Sequence, residues 1–471
     1  MTSCTHVVPS PSQQQPLAYD PLLDDVGYMT CMTLVLLGNY AQTGHLGGPL
    51  AYTPYNVAAH LVGPENGGLR YDYRRPKHPY SDKFMMTAGH SIPTSYALWM
   101  IMGQALYRKY QQTGDPRYRV DPRVAMLPID ALGFRRGAGA LKTLLHETGL
   151  EDNPLFAQAK GRGIRALAGH AESTDCTNDV NGGPSGIGIA TAAGKAAFWD
   201  VAGAPPDSPK VIALEGEFAL TEGHAQELKT QAVALQVGKR LRVMVSNNNA
   251  GIDDCLIGGV IAAQFDGYDL VNQWTSYGWN VFTLSNGNDY GEVTEALKAM
   301  DEVDPHDRRP IVAIGKTTKG YWPAAVDGKI PGYGDQLVSY PSHPYALKMN
   351  SEYFVALAQT FEKHYGVEFE GIRDGAVSNN RERLIQFKTN IDVVMSLLDR
   401  EGLGDRLADR LVEIGDTVHD VMQLRISATS DPFLADRLRV AALPEEPQKV
   451  SIRNVISGAE KQVSIALFKK P

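Results

Sequence analysis

The segment from Glu215 to Asp253 holds the residue types most able to do chemistry. A short apolar run, Val211-Ile212-Ala213-Leu214, leads into Gly216-Glu217-Phe218, and a helical stretch follows from Glu222 to Gln236. A second strand-like run, Leu241 to Val245, leads into Asn247-Asn248-Asn249. The gap of about 30 residues between Glu217 and these amides suits one strand–helix–strand unit. Consecutive strand ends then deliver a carboxylate and an amide, both hard oxygen ligands suited to Mg²⁺ or Ca²⁺. Mg²⁺ takes few protein ligands and shares phosphate oxygens, and a helix N-terminus after Gly216 would turn N–H groups toward the same anion. The chemistry implied is a metal-bridged diphosphate site. Taken alone, the same residues also describe an ordinary strand–turn–helix with a solvated glutamate and an asparagine turn.

Two further features suit such a site. Gly182-Gly183-Pro184-Ser185-Gly186-Ile187-Gly188 runs into an Ala-rich helix, Ile189 to Phe198, and glycines ahead of a helix let backbone approach a ligand closely. Four histidines stand in glycine-flanked or polar contexts: His45 in Gly44-His45-Leu46-Gly47-Gly48, His90 in Gly89-His90-Ser91, His170 in Gly169-His170-Ala171 and His343 in Ser342-His343-Pro344. Imidazoles transfer protons near neutral pH and can donate to phosphate. A lone histidine of this kind is usually a satisfied loop residue. Four at element ends are a pattern.

The elements that must position these residues are parallel. Val211–Leu214, Leu241–Val245, Trp279–Phe282 and Ile311–Ile314 read as strands, with a helix at Tyr290–Met300 between the last two. Strands spaced by helices imply βαβ units, an α/β fold with a parallel sheet, and ligands at the carboxyl ends of the strands. The Ser-, Pro- and Gln-rich start (1–21) reads as a disordered lead-in, and 22–349 as the α/β domain. Residues 350–471 read as a mostly helical, linker-like extension, with helices at Glu352–His364 and Arg381–Asp399 and a short strand-like tail.

Composition narrows the class. The chain has 471 residues, 43% hydrophobic and 21% charged, with a net charge of −8. That mildly acidic balance argues against a nucleic-acid surface. No stretch reaches the roughly 18 apolar residues of a membrane span, and the start lacks a signal-peptide pattern. Cys4, Cys31, Cys176 and Cys255 are far apart and unpaired by motif, which points to free thiols in a reducing cytoplasm rather than a disulfide or zinc framework.

In combination, His45, His90, His170, Gly183-Pro184-Ser185-Gly186, Gly216-Glu217-Phe218, Glu222, Asn248 and His343 resemble the cofactor half of transketolases over roughly Leu22 to Asn350. The resemblance implies a thiamine-diphosphate-binding fold, its parallel sheet flanked by helices on both faces. It also implies thiamine diphosphate with Mg²⁺ or Ca²⁺ as cofactors, and transfer of a two-carbon ketol unit between sugar phosphates. By resemblance, Glu217, Asn248 and the carbonyl of Ala250 hold the metal, with Asn247 a rival for Asn248. His90, His343, Gly216 and Phe218 lie on the diphosphate side, and Gly183 and Ser185 beside the aminopyrimidine. His45, His170 and His343 face the thiazolium and the substrate hydroxyls. Glu222 resembles a glutamate that reaches across an interface.

Two departures shape the expectation. The usual Gly-Asp-Gly is Gly216-Glu217-Phe218, which keeps the carboxylate on a longer arm and puts a side chain where a glycine approaches phosphate. No counterpart of the aminopyrimidine-binding domain stands out between Met349 and Pro471. The expectation is therefore a split enzyme, completed by a separate chain in a hetero-oligomer or by self-association. Glycine-flanked histidines similar to Gly44-His45-Leu46-Gly47-Gly48 occur in 2-oxoacid dehydrogenase E1 proteins, so an E1-type decarboxylase subunit is an alternative. A non-catalytic regulatory subunit is another, motivated by Glu217 and Phe218.

Overall fold

A computed structural model describes residues 5–8, 17–121, 124–206, 208–248, 269–326 and 348–422. The strands are β1 (Thr5–Val7), β2 (Lys83–Met86), β3 (Val211–Gly216), β4 (Leu241–Asn247), β5 (Asn280–Leu284) and β6 (Ile311–Lys316). The helices up to the last strand are α1 (Leu22–Ala41), α2 (Gly47–Ala51), α3 (Thr53–Leu61), α4 (Ile92–Thr113), α5 (Ala138–Glu147), α6 (Ile187–Val201), α7 (Gly223–Ala234), α8 (Leu270–Ser276) and α9 (Tyr290–Glu302). Three more follow: α10 (Glu352–Tyr365), α11 (Asn380–Ser396) and α12 (Leu403–Gly415).

The six strands form one sheet in the order β1-β5-β6-β4-β3-β2, and every pairing is parallel. Side chains alternate between the faces of a strand, yet every residue from Val211 to Glu215 is buried. Both faces are therefore covered, which is why β3 reads as an unbroken apolar run up to Glu215. The register sets Gly216 beside Ser246 and Asn247 beside Lys316, so the ends of β3, β4 and β6 finish level.

Two strands escape the apolar-run pattern. Lys83-Phe84-Met85-Met86 is short and lacks β-branched residues, but it pairs in full with Val211–Leu214. The expected disordered lead-in contains β1, which adds to the sheet edge beside β5. The His6 ring stacks on Phe282 at 4.6 Å, and Val8 is buried with its N–H bonded to Thr283 O. A Thr-His-Val-Val run is enough to extend a parallel edge where Phe282 offers a surface.

Helix α1 is central to the molecule, and every residue from Val26 to Tyr40 is buried. It packs on α3 and α4 and on the three C-terminal helices. Tyr40 stacks on Phe387 of α11 at 4.1 Å, and Tyr28 meets Phe361 of α10 edge-on at 5.0 Å. Helix α12 lays Leu403, Leu407, Leu411 and Ile414 inward, largely against α4. The segment expected to be linker-like is thus helical through Gly415 and shares the core of the α/β domain. The strand-like tail expected beyond 422 lies outside the described residues. Cys31 and Cys176 are buried free thiols, both pushed up to about 12 by burial, while Cys4 and Cys255 lie outside the described residues. Among the described residues, no helix is long and apolar enough to cross a membrane.

Candidate active site

The carboxyl ends of β2, β3, β4 and β6 open into one pocket, as expected of a parallel sheet. It is lined by Thr87–His90 after β2, Glu215–Ala219 at the end of β3, Asn248 after β4 and Lys319 after β6. The loop His45–Gly48, Tyr52, His170 and the turn Gly183–Gly186 complete the wall.

Backbone ties bring the histidine loops together. The Thr87 hydroxyl and the Ala88 N–H both donate to Leu214 O, at 2.7 and 3.1 Å, which fixes the end of β2 to β3. The Ala171 N–H donates to Gly89 O at 3.0 Å, and the Gly182 N–H donates to Ala171 O at 2.8 Å. Gly89 approaches Gly182 so closely that a Cβ there would stand 2.4 Å from Gly182 O. This chain of contacts puts His90, His170 and the Gly183 turn on one rim. The His45 loop is held by the Gly320 N–H, which donates to Gly47 O at 2.8 Å, and Gly48 leaves room for His90 Nε2. The rings of His45 and His90 meet edge to face with centroids 5.2 Å apart, and His45 and His170 at 6.1 Å. His45 is buried, His90 half-buried and His170 exposed. Although part of the His170 ring is open to solvent, the cover on its other side lowers it from the usual imidazole value, and the nearby Arg135 guanidinium adds to the effect.

The floor of the pocket collects acceptor oxygens. Glu217 is 2% exposed. Asn248 Oδ1 is buried without a hydrogen-bond donor, and so is Glu215 Oε2. Burial pushes the Glu215 carboxyl up to about 7, against the Gly216 N–H that it accepts. Tyr52 stands over this floor, since a Cβ on Gly216 would lie 2.8 Å from its hydroxyl. Burial raises the Tyr52 phenol well above its usual value, and the charges of Glu215 and Glu217 add to that. Orphaned oxygens of this type fit a hard cation. Among the described residues, no group of three or more His, Cys, Asp or Glu side chains is arranged to hold a metal. A cation here would therefore draw on Glu217, the Asn248 amide and phosphate oxygens, a donor set that suits Mg²⁺.

Other expected residues fall in different places. Asn247 ends β4 and does not line the pocket, whereas Asn248 does. Gly183 and Ser185 are exposed on the pocket wall. Glu222 is exposed outside the pocket, at the N-cap of α7, with its Cβ against Gly186. The helix expected over Glu222 to Gln236 spans Gly223–Ala234, and a single 3₁₀ turn, Ala219–Thr221, separates it from the end of β3. The N–H groups of Leu220 to Glu222 are consumed in that turn, so the helix dipole does not start at the strand end. Ala250 and His343 lie outside the described residues. Trp322 is 1% exposed, donates to Thr360 Oγ1 at 2.9 Å and packs on Tyr28 in the core. Glu215, Tyr52 and Lys319 were not expected at the site. Glu215 hides at the end of an apolar run, and its only outward signal is a charge directly after four buried apolar residues.

Residues 140–341 match the family model described as the transketolase thiamine diphosphate binding domain. The chain resembles the thiamine-diphosphate-binding half of transketolases. Transketolase 1 of Saccharomyces cerevisiae is 23% identical over 288 residues, covering 60% of this chain and 33% of the relative. A transketolase of Geobacillus stearothermophilus is 29% identical over 203 residues, covering 40% and 28%. The chain thus spans about a third of the length of the curated relatives it matches. Among solved structures, the transketolase from Leishmania mexicana superposes with a TM-score of 0.51 at 18% identity, over 85% of this chain and 49% of that one. This last likeness shows the fold.

Proposed function

We propose that the chain forms the diphosphate and metal side of a transketolase-like site that moves a two-carbon ketol unit from a ketose to an aldose, both as sugar phosphates. One observation carries the reading: His45, His90, His170, the Gly183–Gly186 turn, Glu217 and Asn248 line a single pocket at the strand ends. Thiamine diphosphate, when bound, supplies a carbanion and an electron sink. Glu217 and Asn248 offer oxygens to the cation that neutralises the diphosphate, Mg²⁺ in preference to Ca²⁺ because phosphate oxygens fill the remaining positions. His90 donates to a phosphate oxygen. His45 and His170 hold and move protons at the substrate hydroxyls. The lowering of His170 favours its neutral form, the form that accepts a proton.

The aminopyrimidine side is supplied by a separate chain in this reading. Its support is the exposed face of Gly183, Pro184 and Ser185 beside the pocket, next to the exposed Glu222. The test is calorimetric titration of thiamine diphosphate with Mg²⁺ into this chain, with and without a candidate partner that carries an aminopyrimidine-binding domain. Binding that needs the partner, followed by ketose–aldose transfer, is the expected result. Full transfer by this chain alone would remove the split arrangement. A non-catalytic role is the second reading, favoured by Glu217 and Phe218 at the strand end. It requires that Glu217→Ala leave turnover of the reconstituted complex intact.

A further inference from the structure

Beside the pocket, and sharing His170 with it, lies an open cleft lined by Thr43, Arg135, Arg136, Gly137, Gly169 and His170. Its two guanidiniums have no carboxylate opposite them among the described residues. Arg135 Nη1 donates to Thr43 Oγ1 at 3.1 Å, while its Nε is closed off from solvent with no acceptor. Arg136 stands over the Tyr40 ring, its guanidinium carbon 5.1 Å from the ring centre, which holds a second positive charge at the cleft. Burial with no anion opposite pulls Arg135 below its usual value.

The cleft is built rather than accidental. Arg135 has a φ of +54°, a backbone conformation that L residues rarely adopt, and its N–H is fixed to Leu167 O at 2.8 Å. Its guanidinium lies flat against the backbone of Gly169, where a Cβ would stand 2.6 Å from it. Gly137 is the N-cap of α5, and no side chain caps that helix. The first N–H groups of a ten-residue helix therefore add their positive end to the same cleft.

The geometry points to a second anion site on this chain, distinct from the diphosphate pocket, that takes the phosphate or carboxylate terminus of the molecule whose hydroxyls reach His170. Two guanidiniums and a helix end suit a bidentate oxyanion. The identity of that molecule as a substrate rests on the function proposed above; the anion site itself does not.

Calorimetric titration of inorganic phosphate, and separately of acetate, into the full chain tests this. Wild type, Arg135→Gln, Arg136→Gln and His90→Ala are compared. Arg135→Gln should weaken the preferred anion at least tenfold, whereas His90→Ala should leave a binding event of wild-type strength. Thiamine diphosphate affinity, measured with the candidate partner present, should stay within twofold in Arg135→Gln. Phosphate tighter than acetate assigns a phosphorylated ligand, and the reverse assigns a carboxylate. If Arg135→Gln does not fold, Arg136→Gln carries the comparison, with a loss of at least threefold expected. The site is overturned if wild type binds neither anion, or if both arginine variants bind as wild type does. Failure of thiamine diphosphate and Mg²⁺ to bind wild type even with the candidate partner present would sink the proposed function and leave the anion site standing.

Discussion

The carboxylate of Glu215 folds back on its own strand end, where Oε1 accepts the Gly216 N–H at 3.0 Å and Oε2 is left buried with no donor. A carboxylate in that position is costly without a positive charge nearby. Glu215→Gln should therefore weaken Mg²⁺ or Mn²⁺ binding about tenfold, a loss of about 1.4 kcal/mol. In the absence of cations at pH 8, the same variant should melt about 2–4 °C higher, because a buried charge has gone. Calorimetry with each cation, with and without thiamine diphosphate, measures the first effect. Unchanged cation affinity would remove Glu215 from the cation site.

Gly89 is where the histidine rim depends on missing atoms. A methyl at this position meets the Gly182 carbonyl at 2.4 Å, and backbone cannot rotate away as a side chain can. Gly89→Ala should cost about 1–3 kcal/mol of stability. It should also part His90 from the Gly183 turn, so thiamine diphosphate affinity should fall more steeply than stability. Chemical denaturation and cofactor titration on the same sample separate the two effects.

His60 sets an acid limit on the fold. Its Nε2 accepts from the Trp99 indole N–H at 3.4 Å and the Thr177 hydroxyl at 2.9 Å, so Nδ1 carries the proton and donates to Asn56 O at 2.8 Å. Burial lowers this imidazole to about 4 from 6.5. The unfolded chain binds the proton more readily, so stability is complete above pH 6.5 and is lost as the pH falls toward 4. The loss amounts to about 3 kcal/mol across that window. Melting curves at pH 7.5, 6 and 5 should show the fall. A flat profile would mean that the folded ring takes up its proton as readily as the unfolded one, so that burial does not lower it.

Asp130 anchors the loop that carries the cationic cleft. Its carboxylate takes both Nη groups of Arg162, at 2.8 and 2.6 Å, and the N–H groups of Leu127 and Arg165, both at 2.9 Å. Its side chain is wholly buried. Asp130→Ala leaves Arg162 facing a cavity and should cost about 3–5 kcal/mol. Urea denaturation reads that loss, and a parallel weakening of phosphate binding would follow from movement of Arg135, five residues on.

Much of the sheet was legible because burial on both faces writes itself as unbroken apolar runs, as in Val211–Leu214 and Ile311–Ile314. Lys83–Met86 lacks that signature, and Thr5–Val7 sits in a Pro- and Gln-rich context, so sheet edges were harder to read. The glycine flanks marked His45, His90 and His170 as separate loops. Their meeting rests on the bond from Ala171 to Gly89, residues far apart in the chain, and on a second from Gly182 to Ala171, and no local spacing encodes the first. Arg135 was invisible for the same reason: a guanidinium becomes a feature only when Gly169 is placed beneath it.

The burial of α1 by the C-terminal helices has a consequence for biosynthesis. Tyr28 bonds to Thr360, which is 332 positions later in the chain. At a synthesis rate of about 5–20 residues per second, α1 waits on the order of 20–60 s for that cover to emerge. During that interval a helix whose buried stretch is rich in Met, Leu and Val is a target for holding chaperones and a seed for aggregation. Yield of the native chain should accordingly depend on translation speed and chaperone supply more than its final stability would suggest.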